Sequence, residues 1–424
     1  MTMLLLVLAI AALLMLRVPV AFAFLGPCLA YLVIDGQSLG LSMRTIVNGV
    51  SSFPLLAVPL FVLVGTTASR AGIADRIFDL ALALLGRVRG SLGYVNVGLS
   101  LGFSWISGTA VADAAYEAKV QIPVMLSKGY SRPFSLGVTG ASSLISPVMP
   151  PSIPAVIYAG IATVSTGALF AASVVPALLM SLGLCIVVYI LCRSKPELDG
   201  EPFNWKRLGR AAQRAIGAMA APILILGGIL GGFFTPTEAA AVGAAYMFIL
   251  GFAYRTLKVK DLPSIFRETV VTTAAILIII ASASLVGWIL AIERVPQQVA
   301  AAMLSVADNP TMFLALTALL MLVLGTVLDA VAALVITVPI LLPIGLQIGV
   351  DPIVLGVVLI VSLMIGLLTP PVGTVLYVLS SATGAKIGEV FRGTRPFFIP
   401  LVAVVVIVIV FPGLVMWLPN LLGL

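Results

Sequence analysis

Oxygen atoms carried on broken helices are the main chemical resource of this chain. Ser107-Gly108-Thr109 interrupts an apolar run, and Asp113 follows four residues later. Gly325-Thr326 and Asp329 make a similar arrangement in the second half. Two further interruptions are Ser146-Pro147-Val148-Met149-Pro150-Pro151 and Thr369-Pro370-Pro371. Hydroxyls at Ser107, Thr109, Thr326 and Thr369, with carbonyls freed where a helix unwinds, suit Na⁺. The free N–H groups at the start of a half-helix suit a carboxylate. Gly108 and Gly325 permit the tight turns. Structural readings stand beside these. Asp113 and Asp329 fit as N-caps of the returning helices. Ser107, Thr109 and Thr326 fit as hydroxyls bonded back to their own helices. Neither aspartate has an evident basic partner nearby in sequence, and a buried carboxylate is costly.

Other chemistries lack their residues. The chain has no histidine, and Cys28, Cys185 and Cys192 lie in or at the end of apolar runs without a CxxC. No transition-metal site or disulfide framework is expected. No nucleophile–base pair or phosphate loop is present, which argues against an enzyme. The net charge of +7 is no nucleic-acid signature; its meaning lies in where the basic residues fall.

The elements that must hold these residues are membrane helices. Of 424 residues, 61% are hydrophobic and 9% charged, a composition of a polytopic membrane protein. The apolar N-terminus lacks a basic leader region and continues past Arg17, so it reads as the first membrane helix. The first repeat, 1–192, reads as scaffold helices over 1–69, the third covering 53–69 with kinks at Pro54 and Pro59. It continues with an amphipathic arm at 73–89, a broken hairpin at 92–127, an interrupted helix at 133–162 and a helix at 167–192. A polar cytoplasmic linker covers 193–214. The second repeat, 215–424, follows the same plan: scaffold helices over 217–291, an arm at 295–306, a hairpin at 311–347, an interrupted helix at 352–382 and a helix at 397–418. Helix-breakers recur in register. Pro19 and Pro236 are 217 positions apart, Pro123 and Pro339 are 216 apart, and the two Pro-Pro pairs are 220 apart. Such recurrence marks tandem duplication.

Charge then orients the halves. With the N-terminus outside and five crossings per half, 21 of the 23 basic residues fall on the cytoplasmic side; Arg44 and Arg294 do not. Five is odd, so the second half is inverted relative to the first. Irregular backbone inside a bilayer must be buried or line a cavity. The expected architecture is an all-α membrane protein of two inverted repeats, each with a re-entrant hairpin and an interrupted helix, the broken regions facing each other in one site. That is the architecture of secondary transporters.

Particular motifs carry a family resemblance along the whole chain. They are RVPVAFA at 17–23, SFPLLAVPLFVLVG at 52–65, SGTAVADAA at 107–115, PVMPPSIPAVIY at 147–158, FTPTEAAAVG at 234–243, VPILLPIG at 338–345 and GLLTPPVGTVLY at 366–377. The chain resembles the large membrane subunit of tripartite ATP-independent periplasmic (TRAP) transporters. The resemblance implies an elevator transporter of the bacterial inner membrane that imports organic anions such as C4-dicarboxylates or sialic acid on a Na⁺ gradient. It implies two partners, a small four-helix membrane subunit and a periplasmic substrate-binding protein. It places Na⁺ ligands at Ser107, Gly108, Thr109, Gly325, Thr326, Thr369 and Pro370, and substrate contacts at Ser107, Thr109, Ser152 and Asp329. Three stretches depart from the family pattern. Thr109 stands where serine is usual, Tyr116-Glu117 where small or apolar residues are usual, and Ser146-Pro147-Val148-Met149 where Gly-Pro-Ile-Ile is usual. The competing readings are a stand-alone H⁺- or Na⁺-coupled carboxylate carrier of related fold, and a membrane-embedded enzyme or channel.

Overall fold

The computed structural model describes residues 2–16, 18–195, 198, 200, 202–295, 297–299 and 309–424. Among them there is no β-strand. Among the described residues, six helices are long and apolar enough to cross a membrane. A seventh span is added if 42–50 and 54–70, bent by 61° at a short break, act together.

The first helices are α1 (Thr2–Met15), α2 (Val20–Ile34), α3 (Leu39–Val50) and α4 (Ala57–Arg70). The expected kinked helix over 53–69 is instead a 3₁₀ turn, Phe53–Leu56, leading into α4. Pro54 and Pro59 fall in the first turns of these elements, where a missing N–H leaves no bond unmade. The arm is α5 (Ile73–Leu85), followed by the hairpin helices α6 (Ser91–Ser107) and α7 (Ala110–Ser127). Then come α8 (Arg132–Ser142), α9 (Ile153–Ala162) and α10 (Thr166–Cys192).

The second half opens with α11 (Trp205–Leu230), twelve residues before the expected 217. Asn204 causes the early start: its side-chain oxygen accepts from the amides of Lys206 (2.9 Å) and Arg207 (3.1 Å). The linker's last ten residues are therefore helix. Next are α12 (Pro236–Ala253), opened by a capping box of Thr235 and Glu238, and α13 (Leu262–Ile292). The expected arm at 295–306 lies mostly outside the described residues. There follow α14 (Pro310–Gly325), α15 (Ala330–Ile348), α16 (Pro352–Gly366), α17 (Thr374–Thr383), α18 (Ile387–Val410) and α19 (Pro412–Leu422). α18 begins ten residues before the expected 397, and Phe411 interrupts the chain before α19.

The interrupted helices form the core. Every residue from Val354 to Gly366 in α16 is buried, as is every residue from Phe134 to Ser142 in α8. A helix apolar on all sides, such as α16, belongs in such a position. α8 packs on α18 and α14 on α16. The halves also exchange partners: α7 packs on α17, and α15 packs on α9. A second group of helices surrounds this body. α13 lies against α2, α3 and α4, while α12 packs on α4 and α11 on α5. The two groups meet where α13 touches α15 and α4 touches α6 and α9.

Candidate functional site

Each hairpin tip is bound to the break in its own half. In the first half, α6 ends at Ser107 and the chain turns at Gly108, whose φ of 58° is in the left-handed region. Thr109 caps α7 by accepting from the Ala112 amide at 3.4 Å. The Ser107 hydroxyl lies 3.3 Å from the Ser146 hydroxyl in the break and also reaches the Thr109 carbonyl. Ser104 reaches the Pro150 carbonyl at 3.4 Å. Ser152 caps α9 through the Ala155 amide at 3.2 Å and donates to the Pro147 carbonyl. The starts of α7 and α9 are therefore neighbours.

The second tip uses its backbone. The Thr326 carbonyl accepts from the amides of Val372 (3.1 Å) and Gly373 (2.9 Å), just past Thr369-Pro370-Pro371. Gly325 presses against α16; a methyl there would stand 2.6 Å from the Leu363 carbonyl oxygen. The hydroxyls of Thr326 and Thr369 bond back to Val323 and Ile365 of their own helices, at 2.8 and 2.9 Å. Asp329 caps α15, its Oδ2 accepting from the Val331 amide at 3.0 Å.

Of the expected site residues, Ser107 and Thr109 line a cavity of about 190 Å³ between hairpin and scaffold. Its far wall is Gly65, Thr66 and Ser69 of α4 with Glu268 and Thr272 of α13. At its edge Arg70 pairs with Glu268 at 2.8 Å and reaches Ser264 at 2.5 Å, tying α4 to α13. Ser152 is buried under the tip. Gly325, Thr326, Thr369, Pro370 and Asp329 do not line this cavity. The hydrogen bonds of the described residues join each tip to its own break and do not join the tips to one another.

Two carboxylates lie behind the first tip, and one of them departs from its expected role. Thr109, not Asp113, caps α7. Asp113 is fully buried, and neither of its oxygens has a hydrogen-bond partner. Glu117, one turn on, is also fully buried. It accepts from Ser100 of α6 (3.1 Å) and Gln121 (3.3 Å), and the Ser142 hydroxyl of α8 lies 3.3 Å away. Ser142 is also 2.5 Å from Asn96 Oδ1, and Asn96 donates to Thr139 at 2.8 Å. Lys119 is exposed and takes no part in this network. One signal for it existed: Asp113, Glu117 and Gln121 recur every fourth residue, which puts them along one helix face.

The comparisons with known proteins bear on the whole chain. Residues 7–414 match the family model described as tripartite ATP-independent periplasmic transporter, DctM component. The sialic acid TRAP transporter large permease protein SiaM of Vibrio cholerae is 39% identical over 405 residues, 95% of each chain. The C4-dicarboxylate TRAP transporter large permease protein DctM of Pseudomonas aeruginosa is 35% identical, over 88% of this chain and 87% of that one. The Alcanivorax borkumensis YdaH transporter, whose structure is described as having an unusual topology, matches with a TM-score of 0.58. The match covers 88% of both chains at 17% identity, a likeness of fold. The relatives named for an activity are permeases rather than enzymes. This multi-pass membrane protein belongs to the DctM component family of the tripartite ATP-independent periplasmic transporters, the large permeases of these systems.

Proposed function

We propose that this chain is the transport subunit of a Na⁺-coupled importer of small organic anions in a bacterial inner membrane. One observation carries the reading. The N-terminal ends of α7 and α9 meet at Ser107, Thr109 and Ser152, beside a cavity closed by different helices, α4 and α13. Helix N-termini attract carboxylates, so the substrate's carboxylate belongs there. The named relatives transport sialic acid and C4-dicarboxylates, both carboxylates, which supports that substrate class. Ser107, Thr109, Ser152 and Asp329 are the proposed substrate contacts. Na⁺ is coordinated by oxygens at Ser107, Gly108 and Thr109 on one tip, and at Gly325, Thr326, Thr369 and Pro370 on the other.

The mechanism in this reading is an elevator. Both hairpins and both interrupted helices move as one body past α2–α4 and α11–α13. The exchange of partners, α7 on α17 and α15 on α9, supports a single moving body. The chain works with a small four-helix membrane subunit and a periplasmic substrate-binding protein, as the tripartite family name suggests. Its N-terminus faces the periplasm, the orientation that puts most of the basic residues in the cytoplasm.

Reconstitution tests this directly. The chain and its small subunit go into liposomes, with labelled N-acetylneuraminate or succinate as probe, with and without the binding protein. Uptake of one probe is expected only with the binding protein and an inward Na⁺ gradient. Ser107→Ala is expected to raise the Na⁺ concentration for half-maximal uptake. Uptake that ignores both Na⁺ and the binding protein would refute the reading.

A further inference from the structure

The two walls of the cavity at the first tip differ in chemistry. On the body side are Ser107, Thr109 and Ala112, at the start of α7, where first-turn amides have no acceptor within the helix. That wall offers hydrogen-bond donors. On the scaffold side, Glu268 and Thr272 stand one turn apart on α13, and Thr66 and Ser69 lie on α4. The hydroxyl hydrogens of Thr66 and Ser69 are already engaged: they donate to the carbonyls of Val62 and Gly65 in their own helix, both at 2.9 Å. What these two side chains offer the cavity is oxygen lone pairs. Glu268 adds carboxylate oxygens, and Thr272 serves as donor or acceptor. The scaffold wall is thus built mainly to accept.

Arg70 sets the charge of that wall from outside the cavity. Its guanidinium bonds Glu268 Oε2 at 2.8 Å and the Ser264 hydroxyl at 2.5 Å, and it is not one of the residues lining the cavity. Glu268 therefore stands in the wall with its countercharge beside it. A ligand has to bring hydrogen atoms to this carboxylate and not a positive charge. The walls also give the cavity a direction. α4 and α13 lie side by side and antiparallel, because the last residue of α4 meets the second turn of α13. From that meeting point both helices change from polar to apolar in the same sense. Ser69 and Thr66 give way to Val62, and Glu268 and Thr272 give way to Ile276.

We propose that this cavity takes a hydroxylated monocarboxylate, and that Glu268 selects it over a dicarboxylate. The inference rests on the reading above, in which the ligand's carboxylate sits at the start of α7. Its hydroxyl groups then donate to Glu268, Thr66 and Ser69, and its carbon skeleton lies toward Val62 and Ile276. A second carboxylate in the place of those hydroxyls brings only acceptors to a wall of acceptors. It gives up water and gains no donor, the mismatch that a polar site rejects most strongly. The division of labour also fits an elevator. The body holds the carboxylate and the scaffold reads the hydroxyls, so selection is made only in the arrangement where body and scaffold meet here.

Thermal unfolding of the purified full-length chain in detergent tests the proposal, each probe being titrated for the concentration that gives half its maximal rise in Tm. The probes are gluconate and N-acetylneuraminate as hydroxylated monocarboxylates, succinate as a dicarboxylate and hexanoate as a bare monocarboxylate. The parent protein should bind gluconate or N-acetylneuraminate about tenfold more tightly than succinate or hexanoate, the difference between a matched and an unmatched polar group. Glu268→Gln supplies amide donors and releases Arg70, so succinate should bind it about tenfold more tightly than it binds the parent. Glu268→Asp keeps the carboxylate and should keep the parent's preference, which separates lost selection from lost folding. Ser107→Ala should weaken every probe. Where it does, a parent that favours succinate, or a preference untouched by Glu268→Gln, overturns the role of Glu268 alone. No stabilisation by any probe, or indifference to Ser107→Ala, overturns the carboxylate site itself and this inference with it.

Discussion

Gly65→Ala tests whether the hairpin body moves against the scaffold. Gly65 on α4 faces the first tip so closely that a methyl group there would stand 2.1 Å from the Ile106 carbonyl oxygen. Real Cβ atoms stay at least 3.0 Å from such an atom, so tip or helix must retreat by about 1 Å. Overpacking of this kind costs about 1–3 kcal/mol. If hairpin and scaffold were fixed together, the whole cost would appear as lost stability. If the hairpin slides past α4, the clash exists only in the arrangement described here. The same energy then shifts the balance of states away from it by about 5- to 150-fold. Ala112→Cys on α7 and Thr272→Cys on α13 line the same cavity and report on this arrangement by cross-linking. Gly65→Ala should cut the rate of that cross-link by up to the stated factor and leave thermal unfolding nearly unchanged. An unchanged cross-linking rate together with a lower Tm would refute the moving-body argument. Gly26→Ala, where a methyl meets nothing within 4 Å, serves as the control.

Three other substitutions probe separate features. Glu117→Ala leaves Ser100 and Gln121 without their acceptor and should destabilise the protein by about 1–3 kcal/mol, read by thermal unfolding. Glu117→Gln keeps an acceptor oxygen in the same place, so it should unfold no earlier than the parent protein; an earlier unfolding would show that the carboxyl group itself is needed. Gly137→Ala puts a methyl 2.0 Å from the Gly393 carbonyl oxygen at the crossing of α8 and α18, and should cost about 1–3 kcal/mol or more. Gly209→Ala, in an open helical position, should be neutral or gain up to about 1 kcal/mol, and equal Tm values for these two variants would contradict the packing. Asp329→Ala removes a cap worth about 0.5–2 kcal/mol, whereas Asp329→Asn keeps the capping oxygen. With Asp329→Asn the Tm should hold while uptake falls; unchanged uptake would leave Asp329 a cap alone.

What was legible in the sequence depended on how local its cause was. Low charge identified a membrane protein, and Pro150-Pro151 and Pro370-Pro371 marked the two breaks because proline ends helices without any tertiary partner. Ser107-Gly108-Thr109 marked a tip for the same reason. The start of α11 was missed because its cap, Asn204, lies among charged residues that resemble a linker. The burial of Glu117 was not legible because it is decided elsewhere. Ser142 of α8, 25 positions away, and Ser100 of α6 form its surroundings, and spacing along α7 gives only the shared face. The roles of Thr326 and Asp329 show a further limit. A hydroxyl or carboxylate at a tip has the same sequence signature whether it serves its own helix, as both do here, or a ligand.

The partner exchange explains how two separate tips can serve one process. The Thr326 carbonyl holds the chain just past Thr369-Pro370-Pro371, and α17 begins there and packs on α7 of the first hairpin. In the other direction, Ser107 meets the break before α9, and α9 packs on α15 of the second hairpin. In the proposed reading, an ion that tightens either tip therefore acts on a helix that supports the other. With α8 buried against the first hairpin and α16 against the second, neither hairpin can shift on its own without opening packed core, and interiors at this density resist such change. Coupling between the two proposed sites then needs no wire of contacts between the tips. It requires only that each half-helix start at one site and brace the hairpin of the other.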